Sequence, residues 1–147
     1  MTDQYVDRGI LDTSTVILLG RLTDPSALPN ESLISAITLA ELSVGPHVAA
    51  TDGERAARQA HLQQAESDFD VIPFDGSAAR TFGEVAASLR ASSRKPAARA
   101  YDALIAATAI AQGLPLYTCN PGDFESIARL DVRVVPHPDR PLPSVTA

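Results

Sequence analysis

The chain has 147 residues, of which 45% are hydrophobic and 20% are charged, and its formal net charge at pH 7 is −6. These proportions are ordinary for one folded domain and exclude a globally disordered chain. The longest unbroken apolar run, residues 103–107, is too short to span a bilayer. Because no signal-like segment opens the sequence and Cys119 is the single cysteine, we expect a cytoplasmic protein with no membrane partner.

The acidic balance argues at first against a nucleic-acid partner, since such proteins usually present a positive field. The low aromatic content of 5% and the lack of Trp also disfavour a domain that binds RNA by base stacking. However, acids that bind divalent cations are neutralised in the working protein, and the metal can invert the local potential. The positions of the acids therefore say more about a nucleic-acid partner than the net charge does.

Apolar runs and turn residues predict strands that alternate with helices. The strands are predicted at residues 9–12, 32–37, 69–74, 114–119 and 132–135. The helices are predicted after residue 12 to about residue 22, from residue 38 to the Gly45-Pro46 pair, and at residues 52–65, 76–89 and 100–112, with a helical turn at 123–128. Residues 136–147 hold four prolines and are predicted to be an extended tail, so the domain covers residues 1–135.

This alternation predicts a mainly parallel sheet of four to five strands, with helices on both faces and right-handed crossovers. Ligands of such sheets gather beyond the carboxyl ends of the strands, where the strand order reverses. Asp12, Glu41 and Asp102 are predicted at that rim, and Asn120 and Asp123 follow a later strand to the same edge.

Each of the three acids has a simpler structural explanation when it is taken alone. Asp12 can cap the first helix. Thr38 and Glu41 fit the Ser/Thr-x-x-Glu capping box, which places Glu41 in the first turn of its helix. Asp102 can complement the dipole of the buried helix that it begins. Three independent caps at one rim are less probable than one shared site.

A divalent cation shared by the three acids would compensate their charge. Mg²⁺ or Mn²⁺ suits such a ligand set, because hard cations prefer carboxylate oxygens. Zinc is disfavoured, since the three histidines are spread over a loop, a polar helix and the tail without paired ligand spacing. Cys119 is interpreted as a small strand residue, because no His or Asn is predicted beside it as a catalytic partner.

The basic residues Arg90, Arg94, Lys95 and Arg99 form a cluster that no acid interrupts before Asp102. Such a run is commonly a solvated loop. Because this one directly precedes Asp102, it could instead carry a phosphate backbone to the metal site. We favour the second interpretation.

Four segments of the chain are residues 10–14 (ILDTS), 37–42 (ITLAEL), 102–109 (DALIAATA) and 116–124 (LYTCNPGDF). In order and spacing they resemble the motifs of the PIN-domain nucleases, and within that family the VapC-type toxins. Each motif is weak alone, but the four in series are specific and cover nearly the whole chain. The resemblance implies a three-layer α/β/α fold and an endoribonuclease activity that depends on Mg²⁺ or Mn²⁺.

The resemblance also implies which residues form the site. Asp12, Glu41 and Asp102 fall on the invariant acidic positions of the family. Asp123 falls on the aspartate of the family's Thr-Arg-Asn-x-x-Asp-Phe signature, whose asparagine corresponds to Asn120. Asp123 is thus the expected fourth acid, acting through water or a second metal.

Further roles are expected around these acids. Cys119 replaces the arginine of that signature, so we expect no phosphate contact from this position, and Arg94, Lys95 and Arg99 are the candidate substitutes for RNA binding. Ser14, at the head of the first helix, can bind a metal-bound water or a phosphate oxygen, or can serve only as a cap.

The implied reaction is hydrolysis of RNA phosphodiester bonds, tRNA or rRNA included, by a metal-activated water. The implied partners are a VapB-type antitoxin and a second copy of the chain, with DNA contacted only through the antitoxin. A haloacid-dehalogenase-like phosphatase needs a second Asp where this chain has Ser14, and a receiver domain needs an adjacent acid pair and a late-strand Lys. A non-catalytic PIN-like RNA-binding module remains the alternative, although such modules usually lack a metal ligand.

Overall fold

The chain forms one central sheet of five strands, as seen in a computed structural model that describes residues 7–92 and 99–140. The strands are β1 (Arg8–Leu11), β2 (Glu31–Ser35), β3 (Asp70–Ile72), β4 (Leu116–Thr118) and β5 (Val132–Val134). They lie in the order β3-β2-β1-β4-β5, and every neighbouring pair is parallel. All five fall within the predicted runs to within a residue or two.

The sheet reverses its strand order at β1. From β1 the chain moves outward through β2 to β3, and then returns to build β4 and β5 on the other side. In register, Leu33 lies opposite Ile10 on one side of β1, and Tyr117 lies opposite Leu11 on the other. The switch point of this parallel sheet, where ligands characteristically bind, is therefore the carboxyl end of β1 and β4.

Helices cover the sheet on both faces. They are α1 (Thr13–Leu18), α2 (Ala36–Val44), α3 (Asp52–Asp68), α4 (Gly76–Ala91) and α5 (Ala100–Gln112). Short 3₁₀ segments follow or join them at Leu19–Arg21, Pro25–Ala27, Gly45–Val48 and Pro121–Phe124.

Two apolar cores result from the alternation of side chains along the strands. Ile10 and Leu116 belong to one core, together with buried residues of α4 and α5. Leu11 and Tyr117 belong to the other, together with buried residues of α1, α2 and α3. The sheet therefore lies between two helical layers, which confirms the predicted α/β/α architecture.

The helix α5 behaves as its sequence predicts. It is apolar nearly all round, and six of its thirteen residues are buried. It ends at Gly113, whose φ of 66° is in the left-handed region that favours glycine. Its buried alanines and Ile105 belong to the same core as Ile10 of β1 and Leu116 of β4, so α5 is packed into the core on one face of the sheet.

The start of α2 differs from the prediction. The helix begins at Ala36 rather than Thr38, because the hydroxyl of Ser35 accepts the backbone N–H of Thr38 at 3.1 Å and caps the helix. Glu41 is consequently in the second turn, not the first, and the predicted capping box between Thr38 and Glu41 is wrong. The side chain of Glu41 is thus available for another role.

The helical turn predicted at residues 123–128 is a 3₁₀ segment at Pro121–Phe124. Of the predicted tail, residues 137 and 140 form an isolated bridge, and residues 141–147 lie outside the described residues. Within the described parts of the chain, no helix combines the length and apolar character that crossing a membrane requires.

Candidate active site

Asp12 lies at the switch point and is almost fully buried, with 3% of its surface exposed. It caps α1, since its Oδ1 accepts the backbone N–H of Thr15 at 3.1 Å and also the Thr15 hydroxyl. Its Oδ2 accepts the hydroxyls of Ser14 at 3.1 Å and Thr118 at 2.8 Å. Burial raises the pKa of Asp12 above its ordinary value, and these four hydrogen bonds oppose the rise because they favour the carboxylate.

Glu41 extends from α2 toward the head of α1. The hydroxyl of Thr13 donates to Glu41 Oε1 at 2.7 Å and lies 3.0 Å from the hydroxyl of Thr38. Burial raises the pKa of Glu41, the Thr13 hydrogen bond opposes the rise, and the nearby charge of Asp12 adds to it. Glu41 and Asp12 therefore belong to one electrostatic site.

Asp102 stands in the first turn of α5, and Asp123 lies in the 3₁₀ segment after β4. Burial, followed by the charges of Asp123, Asp12 and Glu41 in that order, raises the pKa of Asp102 to about 6. This dependence on three other carboxylates shows that the four acids share one region of negative potential. The site is thus built from β1, α2, α5 and the segment after β4.

Among the described residues, Arg99 forms ion pairs with two of these acids. Its Nη1 lies 2.8 Å from Asp123 Oδ1 and 3.9 Å from Asp102 Oδ2. The charge of Arg99 lowers the pKa of Asp102, but this is the smallest of the contributions and does not cancel the rise. Of the other two predicted RNA contacts, Arg94 and Lys95 lie outside the described residues.

Ser14 and Asn120 link the two sides of the switch point. The Asn120 side-chain amide donates to the Ser14 hydroxyl at 2.9 Å, and that hydroxyl donates to Asp12. The backbone N–H of Asn120 also donates to the Thr118 hydroxyl at 2.9 Å. Both predicted supporting residues are therefore placed beside Asp12.

The hydroxyl groups of Thr13, Thr15 and Thr118 were missed by the reasoning from sequence. Thr15 and Thr118 are fully buried, and a buried hydroxyl without a carboxylate or backbone partner is costly. Within the described residues no buried side-chain nitrogen or oxygen lacks a hydrogen-bond partner. The signal in the sequence was the placement of three threonines beside predicted strand ends.

Known protein families and curated relatives match most of this chain. A model of the PIN domain matches residues 10–130, which run from within β1 into the loop before β5 and include all four acids. The chain belongs to the PIN-domain family. Curated relatives include Ribonuclease VapC5 of Mycobacterium tuberculosis, which is 38% identical over 112 residues covering 75% of this chain and 81% of the relative. Ribonuclease VapC1 of Rickettsia felis is 32% identical over 133 residues, which cover 88% of this chain and 98% of the relative.

Solved structures show the same fold. A crystal structure of VapBC-5, from the VapBC family of toxin-antitoxin systems of Mycobacterium tuberculosis, superposes with a TM-score of 0.76 at 34% identity. The match covers 88% of this chain and 99% of that chain. VapBC2 of Rickettsia felis, bound to a DNA fragment from its promoter, superposes with a TM-score of 0.71 at 25% identity. This match covers 86% of this chain and 98% of that chain. The predicted resemblance to VapC-type PIN domains is thereby confirmed.

The four acids of this PIN domain do not form a closed metal-ligand set. Among the residues that the structure describes, no group of three or more His, Cys, Asp or Glu side chains is arranged to hold a metal ion. The chemistry of the donor set nevertheless fits a hard cation, because carboxylate oxygens are its preferred ligands. The raised pKa of Asp102 fits as well, since its cause after burial is the charge of the three other acids, which Arg99 does not cancel.

Cys119 is buried and forms no part of this site. Burial raises the pKa of its thiol, which disfavours the thiolate that a nucleophile requires. Its backbone N–H donates to the Thr15 hydroxyl at 3.0 Å, so the residue helps to position a hydroxyl that binds Asp12. Cys119 directly follows β4 instead of lying in it, so its prediction as a strand residue is wrong, whereas its interpretation as a small buried residue agrees with its burial.

Proposed function

We propose that this PIN domain is an endoribonuclease toxin of a toxin–antitoxin system and that it depends on Mg²⁺ or Mn²⁺. The observation that carries this proposal is the meeting of Asp12, Glu41, Asp102 and Asp123 at the switch point, where each of the other three raises the pKa of Asp102. The relatives named Ribonuclease VapC supply the reaction class. The substrate would be a cellular RNA, with tRNA and rRNA as the expected classes.

The cation would be held by Asp12, Glu41, Asp102 and Asp123, with Asp123 acting directly or through water. When bound, it would supply a Lewis acid that lowers the pKa of water and stabilises charge on the phosphodiester. In the protein itself, the four hydrogen bonds to Asp12 hold both carboxylate oxygens in a fixed orientation. Asp102, with a pKa of about 6, holds a proton in mildly acidic solution and releases it near neutrality.

The test of this activity is cleavage of total cellular RNA by purified protein with Mn²⁺, compared with the same protein in EDTA. Asp12→Asn keeps the size of the side chain but removes its charge, and we expect it to abolish both cleavage and toxicity on expression. Cleavage that is unchanged in EDTA would refute the metal dependence. Undiminished cleavage and toxicity in Asp12→Asn would refute the assigned site.

A non-catalytic RNA-binding module is the second candidate, and the acidic rim argues against it. Unmetallated carboxylates repel phosphates, and the net charge of −6 gives no compensating positive field. Such a module would bind RNA equally well in EDTA and would cleave nothing. A metal-dependent phosphatase is a more distant candidate, which release of inorganic phosphate from small phosphomonoesters would reveal.

We also propose a VapB-type antitoxin as partner, because the structural relatives include VapBC assemblies. DNA would then be contacted only through the antitoxin. The proposal predicts that the reading frame adjacent to this one encodes a small DNA-binding protein that copurifies with the chain. We further propose a homodimer, which light scattering of the purified chain would test.

Arg94 and Lys95 remain the proposed contacts to the RNA backbone. Replacing both by Gln should reduce the slope of log affinity against log salt by about 1.4 for single-stranded RNA, since each phosphate contact contributes about 0.7. An unchanged slope would remove these two residues from the RNA surface.

A further inference from the structure

Arg99 is paired with Asp123 and Asp102, and its predicted role in RNA binding does not explain this pairing. Its guanidinium Nη1 lies 2.8 Å from Asp123 Oδ1, at the distance of a strong charge-assisted hydrogen bond, and 3.9 Å from Asp102 Oδ2. Asp123 and Asp102 are two of the four acids that are proposed above as ligands of the metal. The residue therefore occupies part of the place where a cation would bind.

The position of Arg99 is defined by the start of α5. It is the residue directly before the helix, and Asp102 follows three positions later in the first turn. The three side chains are each roughly one-third exposed, at 37% for Arg99, 30% for Asp102 and 41% for Asp123. The guanidinium is thus open to exchange, because a group that is partly in water can leave its partner without being stranded in the interior.

We propose that Arg99 is an internal counter-cation that competes with the divalent metal for Asp123 and Asp102. In the metal-free protein its guanidinium neutralises part of the charge of the two acids and keeps them facing each other. A metal that takes Asp123 must displace Arg99, and the released guanidinium then lies at the edge of the site. This inference rests on the metal dependence proposed above.

A metal titration of the protein without RNA tests the competition directly. Mn²⁺ binding would be measured by electron paramagnetic resonance of the free ion, for the wild-type chain and for Arg99→Gln. We expect Arg99→Gln to bind Mn²⁺ about three- to tenfold more tightly, since one competing positive charge is removed from a partly exposed ion pair. Arg99→Lys keeps the charge but loses the guanidinium geometry, so its affinity should fall between the two.

Arg133→Gln is the matched control. It makes the same substitution at an arginine that pairs with Asp131 through a hydrogen bond of 2.9 Å. Arg133 lies in the edge strand β5, which β4 separates from β1, and it makes no ion pair with any of the four acids among the described residues. Mn²⁺ affinity equal to that of the wild type is expected for this variant.

A double-mutant cycle with Asp123→Asn isolates the contact. If Arg99 competes through Asp123, the gain from Arg99→Gln should be smaller in the Asp123→Asn background. Wild-type protein that binds Mn²⁺ as tightly as Arg99→Gln, or more tightly, would overturn the role of Arg99 and leave the metal site intact. If neither protein binds Mn²⁺, the metal dependence of the proposed function fails as well.

Discussion

At the scale of single residues, the site depends on hydroxyls that come from distant parts of the chain. Thr118 is fully buried and donates to Asp12 Oδ2 at 2.8 Å across a separation of 106 residues. It also accepts the backbone N–H of Asn120. One small side chain therefore satisfies two polar groups and joins β4 to β1.

Thr118→Val should destabilise the protein by about 1–3 kcal/mol, because it keeps the shape of the side chain but removes one of the two hydroxyls that donate to Asp12 Oδ2 and leaves the Asn120 N–H without this acceptor. Urea unfolding of the metal-free protein would measure the change. Thr118→Ser retains the hydroxyl and should lose less. Equal stability of the Val and Ser variants would show that the hydroxyl contributes nothing.

Thr13 offers a test of activity rather than stability. Its hydroxyl donates to Glu41 Oε1 at 2.7 Å, so Thr13→Val removes the hydrogen bond that opposes the rise in the pKa of Glu41. We expect RNA cleavage to fall about ten- to a hundredfold, as for other residues that orient metal ligands, with Thr13→Ser close to wild type. The pH at which activity reaches half of its maximum should also rise in Thr13→Val, and an unmoved pH profile would contradict the assigned role.

At the scale of elements, the close approach of β1 to β4 depends on Gly9. A Cβ at this position would collide with the ring of Tyr117, which is buried in the core beneath α1. Gly83, in the middle of α4, has no heavy atom within 4 Å of where its Cβ would lie, apart from its chain neighbours and the adjacent backbone of its own helix. The same substitution at the two glycines should therefore have opposite effects.

Gly9→Ala should destabilise the protein by about 1–3 kcal/mol, since the added methyl forces the Tyr117 ring or the strand to shift. Gly83→Ala should stabilise it by about 0.5–1 kcal/mol, because alanine loses less backbone entropy in a helix. Thermal unfolding followed by circular dichroism would measure both. Destabilisation of similar size at both positions would refute the assignment of a local collision at Gly9.

The elements were largely predictable from sequence, whereas their ends and their side-chain pairings were not. The buried strands and the apolar helix α5 are encoded by runs of residues close together in sequence, so the local pattern of apolar residues predicts each of them. The start of α2 was misplaced because Ser35 and Thr38 are both good caps, and only the end of β2 at Ser35 decides between them. The pairing of Arg99 with Asp123 depends on how α5 packs beside the segment after β4, which no local pattern contains.

At the scale of the whole molecule, the fold brings together acids from four separate segments. Their mutual repulsion and burial destabilise the folded state in the absence of metal. The pKa of Asp102 is raised from 3.8 to about 6, so the folded state binds its proton more tightly than the unfolded state does. The folded state keeps the whole of this contribution to its free energy of unfolding below the unfolded pKa of Asp102. It loses the contribution as the pH rises through about 6. The metal-free protein should therefore be weakened by Asp102 at neutral pH.

Asp102→Asn should remove this pH dependence. Because the Asp102 side chain is 30% exposed and partly screened, we expect the variant to gain about 1 kcal/mol over the wild type between roughly pH 4 and pH 7, measured by urea unfolding in EDTA. Mn²⁺ at saturation should then stabilise the wild type at pH 7 by about 2–3 kcal/mol, and Asp102→Asn by much less, because a ligand stabilises only the state that binds it. Parallel pH profiles for the two proteins in EDTA would contradict the electrostatic cost. Equal stabilisation of both by Mn²⁺ would show instead that the cation binds away from Asp102.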